Sequence, residues 1–321
     1  MREKAPKRGY LLHAIRNPQR ADRHHLVGGL IVILAAVLGA IVISVTVTTS
    51  SRATRALERL THSSQSTSWP VAWSKSEALG PSSPLRVALY GDSLAFQAQD
   101  FFEQALAESG AVTVSAHTFG GTAICDWLPT MPSDAATFRP QAVVLEFSGN
   151  ALTPCMRDGT GQPLSGAAKL DKYTSDANIA IRILTATGAH VYLAGYPISR
   201  AAAEGLAPGW NQLNGLYAQM ARSTPGTGFV DAGSAVEDHG HYTDSLPCLA
   251  GELCIGTLDG AGPANIVRSP DGVHFCPGGS GSVNPATGVC AMWSSGAYRY
   301  GLALAGPVIH DFLDSPAERP V

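Results

Sequence analysis

Between Leu85 and Asp231 short apolar runs alternate with longer stretches of helical periodicity, and this alternation is the strongest constraint on the fold. The runs are Leu85–Tyr90, Val112–Thr118, Ala142–Phe147, His190–Ala194 and a brief Phe229–Asp231. Each has the length and texture of a buried strand. Between them, Phe101, Phe102 and Leu106 recur at helical spacing within Leu94–Ser109, and Gly110 follows as a stop signal. Tyr173, Ala177, Ala180 and Leu184 mark one face of a helix over Lys172–Thr187, ended by Gly188. Trp210, Leu213, Tyr217 and Met220 mark another. Strand and helix in strict alternation imply an α/β fold with a mostly parallel sheet covered on both faces.

The rest of the chain departs from this rhythm. Residues 232–292 are rich in Gly and Pro and hold four of the six cysteines. A stretch of that length without regular structure is unusual inside a compact domain and is often functional. An even cysteine count suggests a disulfide framework if the domain is exported. Closeness in sequence points to the pairs Cys248/Cys254 and Cys276/Cys290, leaving Cys125 with Cys155. No C-x-x-C occurs, so no zinc site or other metal is expected. His239 and His241 flank Gly240 in a polar loop without a clustered third ligand. The C-terminal stretch Tyr298–Leu313 reads as a weak helix interrupted by Pro307.

The N-terminal end explains why export is expected. Residues 1–25 carry seven of the 22 Lys/Arg and only two of the 25 Asp/Glu, so the head is basic and the remainder acidic. An acidic remainder argues against nucleic acid as a partner. From Leu26 to Thr49 there is no charged residue, and roughly 20 apolar residues suffice to cross a bilayer as a helix. The basic segment is expected to stay in the cytoplasm. The run is long for the apolar part of a cleaved signal peptide, and its end has no clear A-x-A site. The expected organisation is a cytoplasmic segment at 1–25, a transmembrane helix at 26–49, a stalk at 50–84 and one folded domain at 85–321. The stalk assignment rests on eight serines and three prolines between residues 63 and 84. The chain is thus expected in the cell membrane as a single-pass protein with its folded domain outside the cytoplasm.

Four short motifs carry chemistry. Gly91-Asp92-Ser93-Leu94 stands where an apolar run passes into a helix. A serine there projects from the carboxyl end of a strand, where open parallel sheets bind ligands. Its own N–H belongs to a helix's first turn and has no partner in that helix. A helix N-cap is the ordinary reading of such a serine. Asp271-Gly272-Val273-His274 puts an aspartate three residues from a histidine on one turn, so a base and its orienting partner come together locally. Ser148-Gly149-Asn150 follows Ala142–Phe147, and an amide at that strand end can donate to a developing oxyanion. Phe119-Gly120-Gly121-Thr122 follows Val112–Thr118, where a glycine leaves its N–H open to a ligand.

Ser, Gly, Asn and His in this order, the first three each just after a strand, resemble the SGNH (GDSL-type) hydrolase family. GDSL stands as residues 91–94, the glycine as Gly121 (or Gly120), the asparagine as Asn150 and DxxH as Asp271–His274. The family's G-x-N spacing is not met, because Gly149 directly precedes Asn150 and Ser148 occupies the glycine's usual place. The resemblance spans about residues 85–314. It implies a three-layer α/β/α sandwich. It also implies catalysis by Ser93, Asp271 and His274, with an oxyanion hole of the Ser93 N–H, the Gly121 N–H and the Asn150 side chain. The rival G-x-S-x-G elbow is absent, since Ala95 stands in its last position. The expectation is an extracytoplasmic serine esterase that forms an acyl-enzyme, needs no metal or organic cofactor, and acts on a small-molecule, lipid or glycan ester. The alternatives are an O-acyltransferase acting on envelope glycans or lipids, and an inactive glycan-binding module.

Overall fold

A computed structural model describes residues 83–258, 262–279 and 282–314, all within the compact unit Ser50–Val321. The basic head, the apolar run at 26–49 and nearly all of the stalk lie outside the described residues. Among the described residues no helix is long and apolar enough to cross a membrane.

Five strands form one parallel sheet: β1 (Leu85–Gly91), β2 (Val112–Thr118), β3 (Ala142–Glu146), β4 (His190–Ala194) and β5 (Thr227–Val230). Their spatial order is β2-β1-β3-β4-β5. The connections between them are α1 (Ser93–Ser109), α2 (Ile124–Trp127), α3 (Met131–Phe138), α4 (Gly166–Thr185), α5 (Arg200–Ala203) and α6 (Gln212–Ser223), and α7 (Ser295–Val308) follows much later. α1 packs against α7, while α4 packs against α3 and α6, so the helices divide into two sets. This is the parallel sheet with flanking helices that the alternation implies. β3 and β4 are buried along their whole length, which is why apolar residues dominate both.

Register brings the ends of the strands level. Gly91 pairs with both Thr118 and Glu146, Glu146 pairs with Ala194, and Ala194 with Val230. The chain leaves β1 toward β2 on one side and returns through β3 on the other. The crevice at that reversal, beyond the carboxyl ends of the strands, is where such sheets bind ligands.

Differences from the sequence reading have local causes. α4 starts six residues earlier than its apolar face suggests, because its first turn is solvent-exposed and carries no periodic signal. β5 starts two residues earlier. Thr227 is buried there because its hydroxyl donates to the Ala221 and Thr224 carbonyls. Pro307 does not interrupt α7. The helix runs through it and continues as the wider turn Ile309–Asp314, as accommodates a missing backbone donor. The region 232–292 contains a three-stranded antiparallel sheet, β6 (Ser245–Pro247), β7 (Gly256–Leu258) and β8 (Gly262–Ile266), in the order β6-β8-β7. A buried Arg299–Glu252 ion pair at 2.7 Å ties this excursion to α7, and Arg299 also donates to the Pro247 carbonyl. The three disulfides are Cys125–Cys155, Cys248–Cys254 and Cys276–Cys290.

Candidate active site

The turn from β1 into α1 is built around a close approach. A Cβ on Gly91 would lie 2.3 Å from the Ala95 Cβ and 2.9 Å from the Glu146 carbonyl oxygen, so only glycine fits there. Asp92 caps α1 by accepting from the Leu94 N–H at 3.1 Å. The Ala95 N–H donates to Glu146 Oε2 at 3.0 Å, and the Phe96 N–H to the Asp92 carbonyl. Of the helix's first donors, the Ser93 N–H alone has no partner among the described residues. An unclaimed donor at the positive end of a 17-residue helix sits on the residue that carries the hydroxyl.

Asp92 is the hub of the site. It is fully buried and also accepts from the Ser148 N–H and Oγ, both at 2.7 Å, and from Asn150 Nδ2 at 2.8 Å. These bonds hold the loop after β3 against the turn after β1. Burial pushes the Asp92 carboxyl up, against the pull of the Ser148 and Leu94 hydrogen bonds. Asn150 Nδ2 also faces the Thr122 carbonyl at 3.3 Å, so both of its N–H groups have acceptors inside the protein. The network fixes the orientation of this amide, since the opposite one would set oxygen against the carboxylate. The loop after β2 completes this side. A Cβ on Gly120 would lie 3.8 Å from the Ser93 Cβ, and the N–H groups of Gly120 and Gly121 have no partner among the described residues. Phe119 and Leu152, both largely exposed, rim this side with apolar surface.

His274 arrives from the opposite end of the sequence. Its Nε2 lies 2.8 Å from Ser93 Oγ, and its Nδ1 lies 2.7 Å from Asp271 Oδ2. Asp271 Oδ1 accepts from the N–H groups of Val273 and His274, which folds the turn around the carboxylate. Burial would raise the Asp271 carboxyl, but the His274 hydrogen bond and these two backbone bonds outweigh it and hold it well below the usual carboxylate range. An ionised carboxylate only accepts, so Nδ1 carries the proton and Nε2 is left to accept from the serine hydroxyl. The turn needs glycine at 272, where φ is +73° and a Cβ would meet the Arg200 Cβ at 2.4 Å. One residue beyond the histidine, the Phe275 N–H donates to Gln97 Oε1 at 2.8 Å and its carbonyl accepts from Ser294 Oγ. Gln97 is four residues from Ser93 on α1, so the helix that carries the serine also anchors the histidine loop.

The structure thus brings Ser93, Asp271, His274, Gly121 and Asn150 to one place. Sequence reasoning missed Asp92, Glu146 and Gln97. Glu146 had a signal, as the only charged residue in an otherwise apolar strand. Gln97 had none.

Cys125, Asp126 and Cys155 place one ligand atom each within 4.8 Å of one another. Both sulfurs are bonded in the Cys125–Cys155 disulfide, which leaves no thiolate to hold a metal.

A lipase/acylhydrolase from Enterococcus faecalis is similar in structure at 14% identity, covering 70% of this chain and 95% of that one, with a TM-score of 0.44. A GDSL-like lipase from Bacteroides thetaiotaomicron is similar at 15% identity, covering 79% and 97%, with a TM-score of 0.42. An acetylxylan esterase from Geobacillus stearothermophilus is similar at 13% identity, covering 50% and 80%, with a TM-score of 0.39. No curated protein matches the sequence. Residues 86–286 match the family described as protein of unknown function (DUF459), and the chain belongs to that family.

Proposed function

We propose that the chain cleaves carboxylic esters through an acyl-enzyme on Ser93. The observation that carries this is the contact of His274 Nε2 with Ser93 Oγ at 2.8 Å, continued from Nδ1 to Asp271 at 2.7 Å. A serine hydroxyl is a weak nucleophile until a base takes its proton. Here Ser93 Oγ attacks the ester carbonyl carbon and its proton passes to His274 Nε2. Asp271 stays ionised, fixes the tautomer and steadies the imidazolium. The carbonyl oxygen, now an anion, is received by the free N–H groups of Ser93 and Gly121. Asn150 adds the N–H that faces Thr122, the longer and weaker of its two bonds. The imidazolium then returns its proton to the departing alkoxide. Water, activated by His274 in turn, releases the carboxylic acid and restores the serine.

Ser93→Ala is expected to abolish ester turnover while leaving the melting temperature nearly unchanged, since the hydroxyl makes no core contact. His274→Ala falls almost as far, and Asp271→Asn falls less. Wild-type turnover in Ser93→Ala would remove the mechanism.

We also infer that residues 26–49 anchor the protein in the membrane with the ester site on the extracytoplasmic side. The basic head, the uncharged run and three disulfides support this.

A further inference from the structure

A cavity of about 780 Å³ is walled by residues of α5, the connection from α5 to α6, and His241 and Tyr242. Its lining includes Ile198, Trp210, Asn211, Gln212, His241 and Tyr242. On one side, Tyr242 Oη lies 3.4 Å from where a Cβ of Gly272 would sit, inside the Asp271–His274 turn. Arg200, next to that wall, donates its backbone N–H to the Gly272 carbonyl and its Nη1 to the Pro270 carbonyl. On the other side, Leu213 lies 3.5 Å from where a Cβ of Gly149 would sit, and Lys169 donates to the Gly149 carbonyl. The elements that wall the cavity are therefore packed against both loops, Tyr242 and Arg200 against the histidine loop and α6 against the Asn150 loop.

Its chemistry is specific. No Lys, Arg, Asp or Glu lines it. The side chains of Asn211, Gln212 and His241 are exposed and make no hydrogen bond with the described residues. Trp210 is half-buried and rigidly mounted. Its Nε1 donates to the Pro197 carbonyl at 2.9 Å, its carbonyl accepts from the Tyr196 hydroxyl, and its ring meets Tyr196 edge-on at 5.5 Å. Tyr242 is held by the guanidinium groups of Arg200 and Arg268, 5.6 and 5.8 Å from its ring centroid. A site with a fixed indole, two amides and an imidazole without protein partners, and no Lys, Arg, Asp or Glu on its lining, suits an uncharged ligand that offers many hydroxyls and flat apolar ring faces. An acyl chain would leave the amides and imidazole unpaired, and the nearest cations have other partners, Lys169 on the Gly149 carbonyl and Arg200 on Asp244.

We infer that this cavity is the alcohol-side subsite and that it takes a neutral saccharide, so that the substrate is an acyl ester of an uncharged glycan. The inference rests on the ester-cleaving reading of Ser93. It assigns the acyl group to the Phe119/Leu152 side and the sugar to the Trp210 side.

The test compares p-nitrophenyl acetate with O-acetylated neutral tetrasaccharides built on glucose, xylose or N-acetylglucosamine, and with an O-acetylated polyuronate as the charged comparator. The expected result is turnover of at least one neutral tetrasaccharide. In Trp210→Ala the ratio of its kcat/KM to that for p-nitrophenyl acetate should fall at least about tenfold, mostly through KM. Gln212→Ala, at an exposed position, should lower the same ratio and guards against misfolding of the tryptophan variant. Cleavage of p-nitrophenyl acetate with no neutral tetrasaccharide accepted, a preference for the polyuronate, or an unchanged ratio in both variants would overturn the inference and leave the ester-cleaving reading standing. If no ester is cleaved, that reading fails, and calorimetric titration of the unacetylated tetrasaccharides judges the cavity by itself. Binding that is weakened in Trp210→Ala keeps the site, and no binding removes it.

Discussion

Two buried carboxyl groups, Asp92 and Glu146, meet at the base of the turn that carries Ser93. Burial pushes Glu146 well above its ordinary value, and the neighbouring Asp92 adds to the shift. Asp92 accepts four hydrogen bonds, whereas Glu146 accepts one from the Ala95 N–H and faces the Tyr300 hydroxyl at 2.9 Å. That hydroxyl has a second acceptor in the Gly195 carbonyl, so it can donate there while accepting a hydrogen bond from a protonated Glu146. Burial and the neighbouring Asp92 thus favour the neutral form of Glu146, while the hydrogen bonds from Ser148 and Leu94 favour the ionised form of Asp92. Glu146→Gln keeps every one of these bonds and is expected to retain activity. A carboxyl raised in the folded state binds more protons there than in the unfolded state, so wild-type stability falls as pH rises above the ordinary glutamate range. The difference in melting temperature between Glu146→Gln and wild type should thus move in the variant's favour from about pH 5 to about pH 8. A difference that is flat with pH would mean Glu146 is ionised. Asp92→Asn sets an N–H₂ group against donors and should cost about 1–3 kcal/mol by denaturant melts, with a large fall in kcat. Asn150→Ala should lower kcat by roughly 10²-fold or more with KM nearly unchanged. Wild-type kcat there would leave the oxyanion to the backbone donors.

At the scale of elements, the histidine loop is fixed from three directions. Gln97 and Ser294 grip Phe275, Arg200 holds the turn before the histidine, and Cys276–Cys290 closes the segment beyond it across 14 positions of sequence. Closing a loop of that size is worth roughly 3 kcal/mol in the chain-entropy model. Reduction is expected to lower kcat at temperatures where circular dichroism still reports a folded protein, because a drift of about 1 Å can cost on the order of 100-fold in rate. Unchanged kcat after complete reduction, verified by thiol titration, would assign the positioning to Gln97 and Ser294 alone. This loop also marks the limit of sequence reading. Asp271 and His274 were legible because their partnership is local, three residues on one turn. The Gln97–Phe275 bond was not, because it joins positions 178 apart and a lone glutamine on a helix carries no pattern.

For the molecule as a whole, the parallel sheet was readable because β1, β3 and β4 are largely buried and therefore mostly apolar. The positions of Ser93, Gly121 and Asn150 followed from the strand ends. The antiparallel sheet of β6, β7 and β8 was not readable. Two of its strands have three residues each, and it is held by the Arg299–Glu252 pair rather than by apolar periodicity. The same excursion delivers His274 to the carboxyl end of β1, so the proposed reaction depends on a segment with little core of its own. Activation of Ser93 as a nucleophile by His274 can be read by intact mass and peptide mapping after treatment with a fluorophosphonate. The wild-type protein should gain one adduct on the peptide containing Ser93, His274→Ala should label far more slowly, and Ser93→Ala should gain none. An unlabelled wild-type protein, or equal labelling of Ser93→Ala, would contradict it.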